Sequence, residues 1–138
     1  MDYRQMTSPC GLDCFNCPVY LAREDEELRG KLAQTMGLPF ERAMCLGCRD
    51  EKGTIGFLNW TEPCNVYKCT ERKGIDFCSE CSDFPCDYLH PYADLASHRP
   101  HNTKVFNLAL IKKMGLESWA KTKAKTVRST YFKGKLKL

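Results

Sequence analysis

Residues 10–17 read Cys10-Gly-Leu-Asp-Cys14-Phe-Asn-Cys17, and the pair of cysteines at the end of this stretch is separated by two residues. The same C-x2-C spacing returns twice further along the chain, at Cys45–Cys48 and at Cys78–Cys81. It allows two thiolates of one tight turn to face one ion while backbone N–H groups of the turn donate to the sulfurs. Three such pairs in 138 residues therefore indicate metal binding.

The composition supports a small fold that depends on cross-links. Leu, Ile, Val and Phe together make up about a fifth of the chain, near the boundary below which chains tend to stay disordered. The few Val and Ile residues exclude a large β-sheet, and the short chain excludes a large barrel enzyme and a long coiled coil. All ten cysteines are candidate metal ligands: Cys10, Cys14, Cys17, Cys45, Cys48, Cys64, Cys69, Cys78, Cys81 and Cys86.

The predicted compartment favours metal over disulfides. No stretch approaches the ~18 apolar residues needed to span a bilayer, and the N-terminal residues contain no apolar run that could act as a signal peptide. We therefore expect a cytoplasmic protein without membrane contact. Thiols stay reduced in the cytoplasm, so a disulfide scaffold or free redox-active thiols are the weaker interpretations.

Zinc is the metal that the spacing favours, because structural Zn²⁺ sites take four thiolate or imidazole ligands in a closed tetrahedron. Ten cysteines allow two four-thiolate sites with two cysteines left over. We expect one site to consist of Cys45, Cys48, Cys64 and Cys69. The other would combine Cys17, Cys78 and Cys81 with either Cys10 or Cys14, with Cys86 competing for a place.

An iron–sulfur cluster is the rival cofactor. The C-x3-C-x2-C spacing of Cys10, Cys14 and Cys17 resembles that of radical enzymes that bind S-adenosylmethionine. Cys17-Pro18 also resembles the Cys-Pro that ends a bacterial ferredoxin run. An electron carrier or a metal-handling protein therefore stays open as an alternative.

Charge divides the chain into two regions. Residues 1–98 form a cysteine-rich metal-binding region with a net charge of −6, and residues 99–138 form a basic helical extension with a net charge of +10. We expect this extension to pack on the same domain. The predicted fold is a small, irregular, α-rich, metal-stabilised domain in which zinc knuckles precede short helices and a helical pair ends the chain.

Glycine, proline and apolar spacing define the expected helices. The spacing predicts one helix from Pro18 to Gly37, and a second from Thr61-Glu62-Pro63 to Gly74 in which Cys64 lies at or outside the first turn. Further helices are expected after Asp83 towards Pro91, over Asn102–Met114, and from Leu116 through Tyr131.

The cysteine motifs also carry a resemblance to a known family. The opening Cys10-Gly-Leu-Asp-Cys14, the knuckle Cys45-x-Gly-Cys48 and the ending Phe84-Pro85-Cys86 resemble the cysteine-rich family of unknown function numbered 3795, from bacteria and archaea. The resemblance covers roughly residues 8–90. It implies zinc binding and no particular activity.

We expect an interaction module that has structural zinc sites and binds a protein partner. An enzyme is the less favoured interpretation, because the sequence offers no convincing acid–base pair. The basic C-terminal region suggests nucleic-acid binding as a further alternative, since clustered Lys and Arg residues neutralise phosphates.

Overall fold

The computed structural model describes residues 1–138 and contains six α-helices and no β-strand. The helices are α1 (Pro18–Leu21), α2 (Glu26–Met36), α3 (Asn65–Lys73), α4 (Lys104–Met114), α5 (Leu116–Thr122) and α6 (Ala124–Lys133). Short 3₁₀ turns occupy much of the remaining chain, among them Cys14–Asn16 and Cys78–Glu80 at two of the C-x2-C pairs. The small helix-rich fold is therefore confirmed.

The single helix predicted before Gly37 is two helices. Pro18 occupies the first position of α1, but the chain leaves the helix at Ala22, and α2 begins after Asp25. The Asp25 carboxylate accepts the N–H of Leu28 at 2.9 Å, so it caps a new helix N-terminus. Gly37 ends α2 with a left-handed φ of 64°, as predicted.

The predicted second helix starts later than expected, because Cys64 is its N-cap. The Cys64 sulfur accepts the N–H of Tyr67 at 3.3 Å, and α3 begins at Asn65. This confirms that Cys64 lies outside the helix. Gly74 ends α3 with a φ of 64°.

No α-helix follows Asp83. The segment contains only the 3₁₀ turn Asp87–Leu89, whose Leu89 is buried in the core. Pro91 disfavours helical geometry at the residue before it, and extended Cys86 precedes the turn, so little more than one turn has room to form.

The predicted C-terminal helical pair is a set of three helices. Gly115 ends α4 as expected, but the second predicted helix is divided at Lys123 into α5 and α6. The Thr122 hydroxyl donates to the carbonyl of Ser118 at 2.7 Å. Such back-bonding competes with the backbone ladder and bends helices.

The buried core is small and lies in two parts. Only 24 of the 138 residues are buried. One part contains Leu108 together with Phe77, Leu89, Val66 and Cys10, and the other is built around Trp119 with Ile111, Ala120 and Ala124. No helix combines the length and the apolar character that crossing a membrane requires.

Candidate metal centre

Six of the ten cysteines gather in one place, which we call the inner cluster. Its members are Cys10, Cys14, Cys17, Cys45, Cys48 and Cys64. Cys14 lies close enough to Cys10, Cys17 and Cys45 for their charges to affect its ionisation. Cys48 approaches Cys10, Cys14 and Cys64 in the same way. The first two C-x2-C pairs therefore face one another.

Backbone hydrogen bonds between distant segments hold the cysteine-bearing turns in register. The N–H of Cys45 donates to Val19 in α1 at 3.0 Å, and the N–H of Cys48 donates to the sulfur of Cys14. The N–H of Cys64 donates to the carbonyl of Gly53 at 2.9 Å. These bonds join cysteine stretches that lie far apart in sequence.

The Cys45–Cys48 turn has the geometry of a metal knuckle. Gly47 takes a φ of +99°, and its N–H donates to the Cys45 sulfur at 3.3 Å. A Cβ at this position would lie 2.9 Å from the Tyr20 ring. The turn therefore requires glycine both for its backbone conformation and for its close packing.

Burial is the main influence on the ionisation of two inner thiols, Cys14 and Cys45. Together with the charges of neighbouring groups, it raises the pKa of each to about 12. The Cys48 thiol donates to the Cys64 sulfur, which raises the pKa of Cys48 and lowers the pKa of Cys64. A bound cation reverses such shifts, because it deprotonates the thiols that coordinate it.

The other four cysteines form a second group, the outer cluster: Cys69, Cys78, Cys81 and Cys86. All four line one cavity of about 160 Å³. Cys69 comes from α3, and Cys78 begins the 3₁₀ turn Cys78–Glu80. The N–H of Cys78 donates to the carbonyl of Pro9 at 3.0 Å, so this turn is tied to the segment that leads into the inner cluster.

The sulfurs of the outer cluster have different charged neighbours. Burial, together with the charges of Cys10, Cys86 and Cys69, raises the pKa of Cys78 to about 12. The Lys73 ammonium lies 2.9 Å from the Cys81 sulfur and lowers the pKa of that thiol. The outer cluster therefore has a cationic side chain in contact with one of its sulfurs.

The structure groups the cysteines differently from the sequence-based expectation. Cys69 lies with Cys78, Cys81 and Cys86, whereas we expected it beside Cys45. Cys17 lies in the inner cluster. As the side chains are oriented, no three His, Cys, Asp or Glu side chains converge closely enough to hold an ion.

Two residues that sequence reasoning did not identify secure the inner cluster. Asn107 of α4 donates to the carbonyl of Gly11 at 2.9 Å and accepts the indole N–H of Trp119. Arg128 of α6 lies 3.2 Å from Asp13, whose side chain is 2% exposed. A polar residue within an apolar helical run was the available signal for Asn107, because buried amides require partners.

Residues 6–91 match the family described as "Protein of unknown function (DUF3795)". The match covers more than half of the chain. This chain belongs to the DUF3795 family. Neither the curated proteins nor the solved structures contain a match to it.

The DUF3795 segment includes all ten cysteines, and the helices α4 to α6 follow it. Its donor set is chemically suited to a soft or borderline metal, since thiolates select Zn²⁺ and iron–sulfur clusters over harder ions. Backbone N–H groups already donate to the sulfurs of Cys45, Cys64 and Cys81 at 3.3–3.4 Å. Such bonds orient and stabilise coordinated thiolates.

Proposed function

We propose that this protein binds Zn²⁺ through its cysteine thiolates and that the metal serves a structural purpose. The gathering of ten cysteines into an inner group of six and an outer group of four is the observation that carries the proposal. Within the inner cluster, the facing pairs Cys14/Cys17 and Cys45/Cys48 supply four thiolates. Cys10 and Cys64 lie against Cys48 beside them.

Metal binding would require the thiols to turn, because the sulfurs do not converge on one point in their present rotamers. Rotation about the first side-chain torsion moves a sulfur between staggered positions without moving the backbone. The backbone bonds that join the knuckles can therefore persist while the thiolates converge. A Zn²⁺ ion supplies four bonds at about 2.3 Å to sulfur in a tetrahedron.

The small core favours a structural purpose. A structural zinc site contributes on the order of 10–16 kcal/mol of apparent binding free energy, comparable to the net stability of a whole domain, about 5–15 kcal/mol. With 24 of 138 residues buried, this chain has few other sources of stability. Residues 18–44 would then be held by thiolate bonds at both ends, at Cys17 and at Cys45.

Elemental analysis of untagged protein purified without oxygen, together with a visible spectrum, tests the proposal. We expect about two zinc ions per chain, one for each four-thiolate set, and no visible absorption. Iron with acid-labile sulfide would instead establish the iron–sulfur alternative. Protein that folds without any metal would contradict both.

An interaction module is the role that we propose for such a zinc-stabilised fold. Several large apolar side chains are exposed, including Trp60 at 54%, Tyr92 at 58% and Phe106 at 58%. They lie on loops and on α4, which the zinc sites would hold in place. Binding of a protein partner to purified, zinc-loaded protein, and loss of that binding in the W60A variant, would support this role.

Nucleic-acid binding is the second candidate function, and a groove between α4 and α6 favours it. The groove, of about 360 Å³, is lined by Phe106, Lys123, Thr126, Thr130 and Tyr131 among others. Seven exposed lysines of this region form no ion pair: Lys112, Lys113, Lys123, Lys125, Lys133, Lys135 and Lys137. An exposed aromatic ring beside free lysines is suited to stacking and phosphate contact with a single strand.

Fluorescence anisotropy with single-stranded DNA and RNA oligomers tests this second candidate. We expect binding that weakens as salt rises, and weaker binding for the triple variant K123Q/K125Q/K133Q. The triple variant K31Q/K52Q/K68Q removes the same charge from the cysteine-rich region and serves as the control. Absent or salt-independent binding would overturn the candidate.

A further inference from the structure

The outer cluster differs from a closed structural site in its access to solvent. Cys86 is exposed, and Cys69, Cys78 and Cys81 are half-buried. In the inner cluster, Cys10 is only 7% exposed and the other five cysteines are half-buried, so none is as exposed as Cys86. A metal ion at the outer cluster would be within reach of a second molecule.

Few side chains other than the four outer thiols could coordinate a metal ion in this cavity. Its other lining residues are mainly apolar: Val66, Ile75, Phe84 and Leu89. Asp83 also lines it, but that carboxylate lies 3.1 Å from the Lys73 ammonium. The thiols of Cys69, Cys78 and Cys86 are therefore the unengaged donors at this place, and soft ligands select soft or borderline ions.

Lys73 gives the outer cluster a means of holding a free thiolate. Its ammonium contacts the Cys81 sulfur at 2.9 Å, and the N–H of Asp83 donates to the same sulfur at 3.4 Å. An ammonium competes with a metal ion for the electrons of a thiolate, so it stabilises that sulfur when it is not coordinated. No Lys or Arg side chain donates a hydrogen bond to a sulfur of the inner cluster.

We propose that the outer cluster is an exchange site, from which a bound zinc ion passes to or from a thiol-bearing partner, while the inner cluster retains its ion. This inference rests on the proposed zinc-binding function and adds a metal-handling role to it. The exposed Cys86 and the Lys73–Cys81 contact carry it.

The transfer step is a ligand exchange without change of oxidation state. An incoming thiolate would form a bond to zinc as the zinc–sulfur bond of Cys81 breaks, and further partner thiolates would replace Cys69, Cys78 and Cys86 in the same way. The departing Cys81 thiolate keeps its electron pair and remains in contact with the Lys73 ammonium. The proton of the incoming thiol is released to solvent before it attacks.

Zinc release to the chromogenic chelator 4-(2-pyridylazo)resorcinol tests the inference on the full, zinc-loaded chain. We expect two phases of similar amplitude, a fast one from the outer cluster and a slow one from the inner cluster. The variants C81S and C86S should each remove the fast phase and leave the slow phase unchanged. H98N, which alters an exposed histidine elsewhere, is the matched control and should keep both phases.

The possible outcomes distinguish this inference from the function on which it rests. Two zinc ions released at one slow rate, or a single slow ion that C81S does not affect, would overturn the exchange site and leave structural zinc binding intact. A fast phase that survives both cysteine variants would also overturn it. Protein without any bound zinc would instead refute the proposed function.

The variant K73Q examines the positioning role of Lys73 without altering a sulfur. Removing the ammonium should slow the fast phase about tenfold, because the departing thiolate loses a charge-assisted hydrogen bond, and should leave the slow phase as it was. K68Q, an exposed lysine on the same helix, is the control. An unchanged fast phase in K73Q would remove Lys73 from the proposal.

Discussion

The inner and outer clusters contain the same ligand type and the same C-x2-C spacing, but they lie in different surroundings. Two helices contact the loop that carries Cys10 and Cys14 of the inner cluster: Asn107 of α4 donates a hydrogen bond to it, and Arg128 of α6 forms an ion pair with it. The outer cluster opens to solvent at Cys86 and contacts the ammonium of Lys73. Burial and neighbouring charge, rather than cysteine spacing, are therefore the differences on which the proposed distinction between a retaining and an exchanging site rests.

Complete metal removal should have the largest effect. Chelation under reducing conditions should unfold the cysteine-rich region, with a loss of stability on the order of 10 kcal/mol. Circular dichroism before and after chelation, and after zinc is returned, measures this loss. An unchanged spectrum in the metal-free protein would mean that the small core maintains the fold without metal.

Single cysteine variants should separate the two clusters. C45S removes a thiolate from the inner cluster and should lower the free energy of unfolding by about 5 kcal/mol, the scale expected for a lost metal site. C86S removes an exposed sulfur from the outer cluster and should cost less, about 2 kcal/mol, because a readily exchanged ion contributes less binding free energy to folding. Denaturant titrations with zinc present measure both, and equal losses would remove the proposed difference between the clusters.

Loss of the ion pair between Arg128 of α6 and Asp13 should have the next largest effect on stability. R128M leaves the 2%-exposed carboxylate of Asp13 without its cationic partner, and removing one partner of a buried pair costs about 3 kcal/mol. R128K keeps the charge and should recover part of the loss. Urea unfolding of the two variants measures the difference, and a wild-type midpoint for R128M would show that the pair adds little.

Two glycine substitutions should change stability in opposite directions. G47A places a methyl group 2.9 Å from the Tyr20 ring at a φ of +99°, which should cost about 1–3 kcal/mol. G30A lies in the interior of α2 with open space around it and should stabilise the protein by about 0.4–1 kcal/mol. Thermal unfolding compares them, and a stable G47A would contradict the close packing of the knuckle.

Local signals predicted a good part of this fold. Gly37, Gly74 and Gly115 end helices as expected, and Cys64 lies outside α3. Gly47 adopts the conformation that its place in the knuckle required. These features depend on a few adjacent residues, which is why composition and spacing were sufficient.

Long-range pairing could not be predicted in the same way. The assignment of Cys69 to the outer cluster depends on how α3 packs against residues 78–89, which spacing does not encode. The contact between Asp13 and Arg128 crosses most of the chain. Both are decided by tertiary contacts.

Anomalous diffraction at the zinc absorption edge, from crystals of protein purified without oxygen, tests the central claim most directly. The account predicts two anomalous peaks, each about 2.3 Å from four sulfurs. One should lie between the Cys14/Cys17 and Cys45/Cys48 turns, and the other among Cys69, Cys78, Cys81 and Cys86. A single peak, or a peak that joins sulfurs of both clusters, would contradict the separation of the inner from the outer cluster.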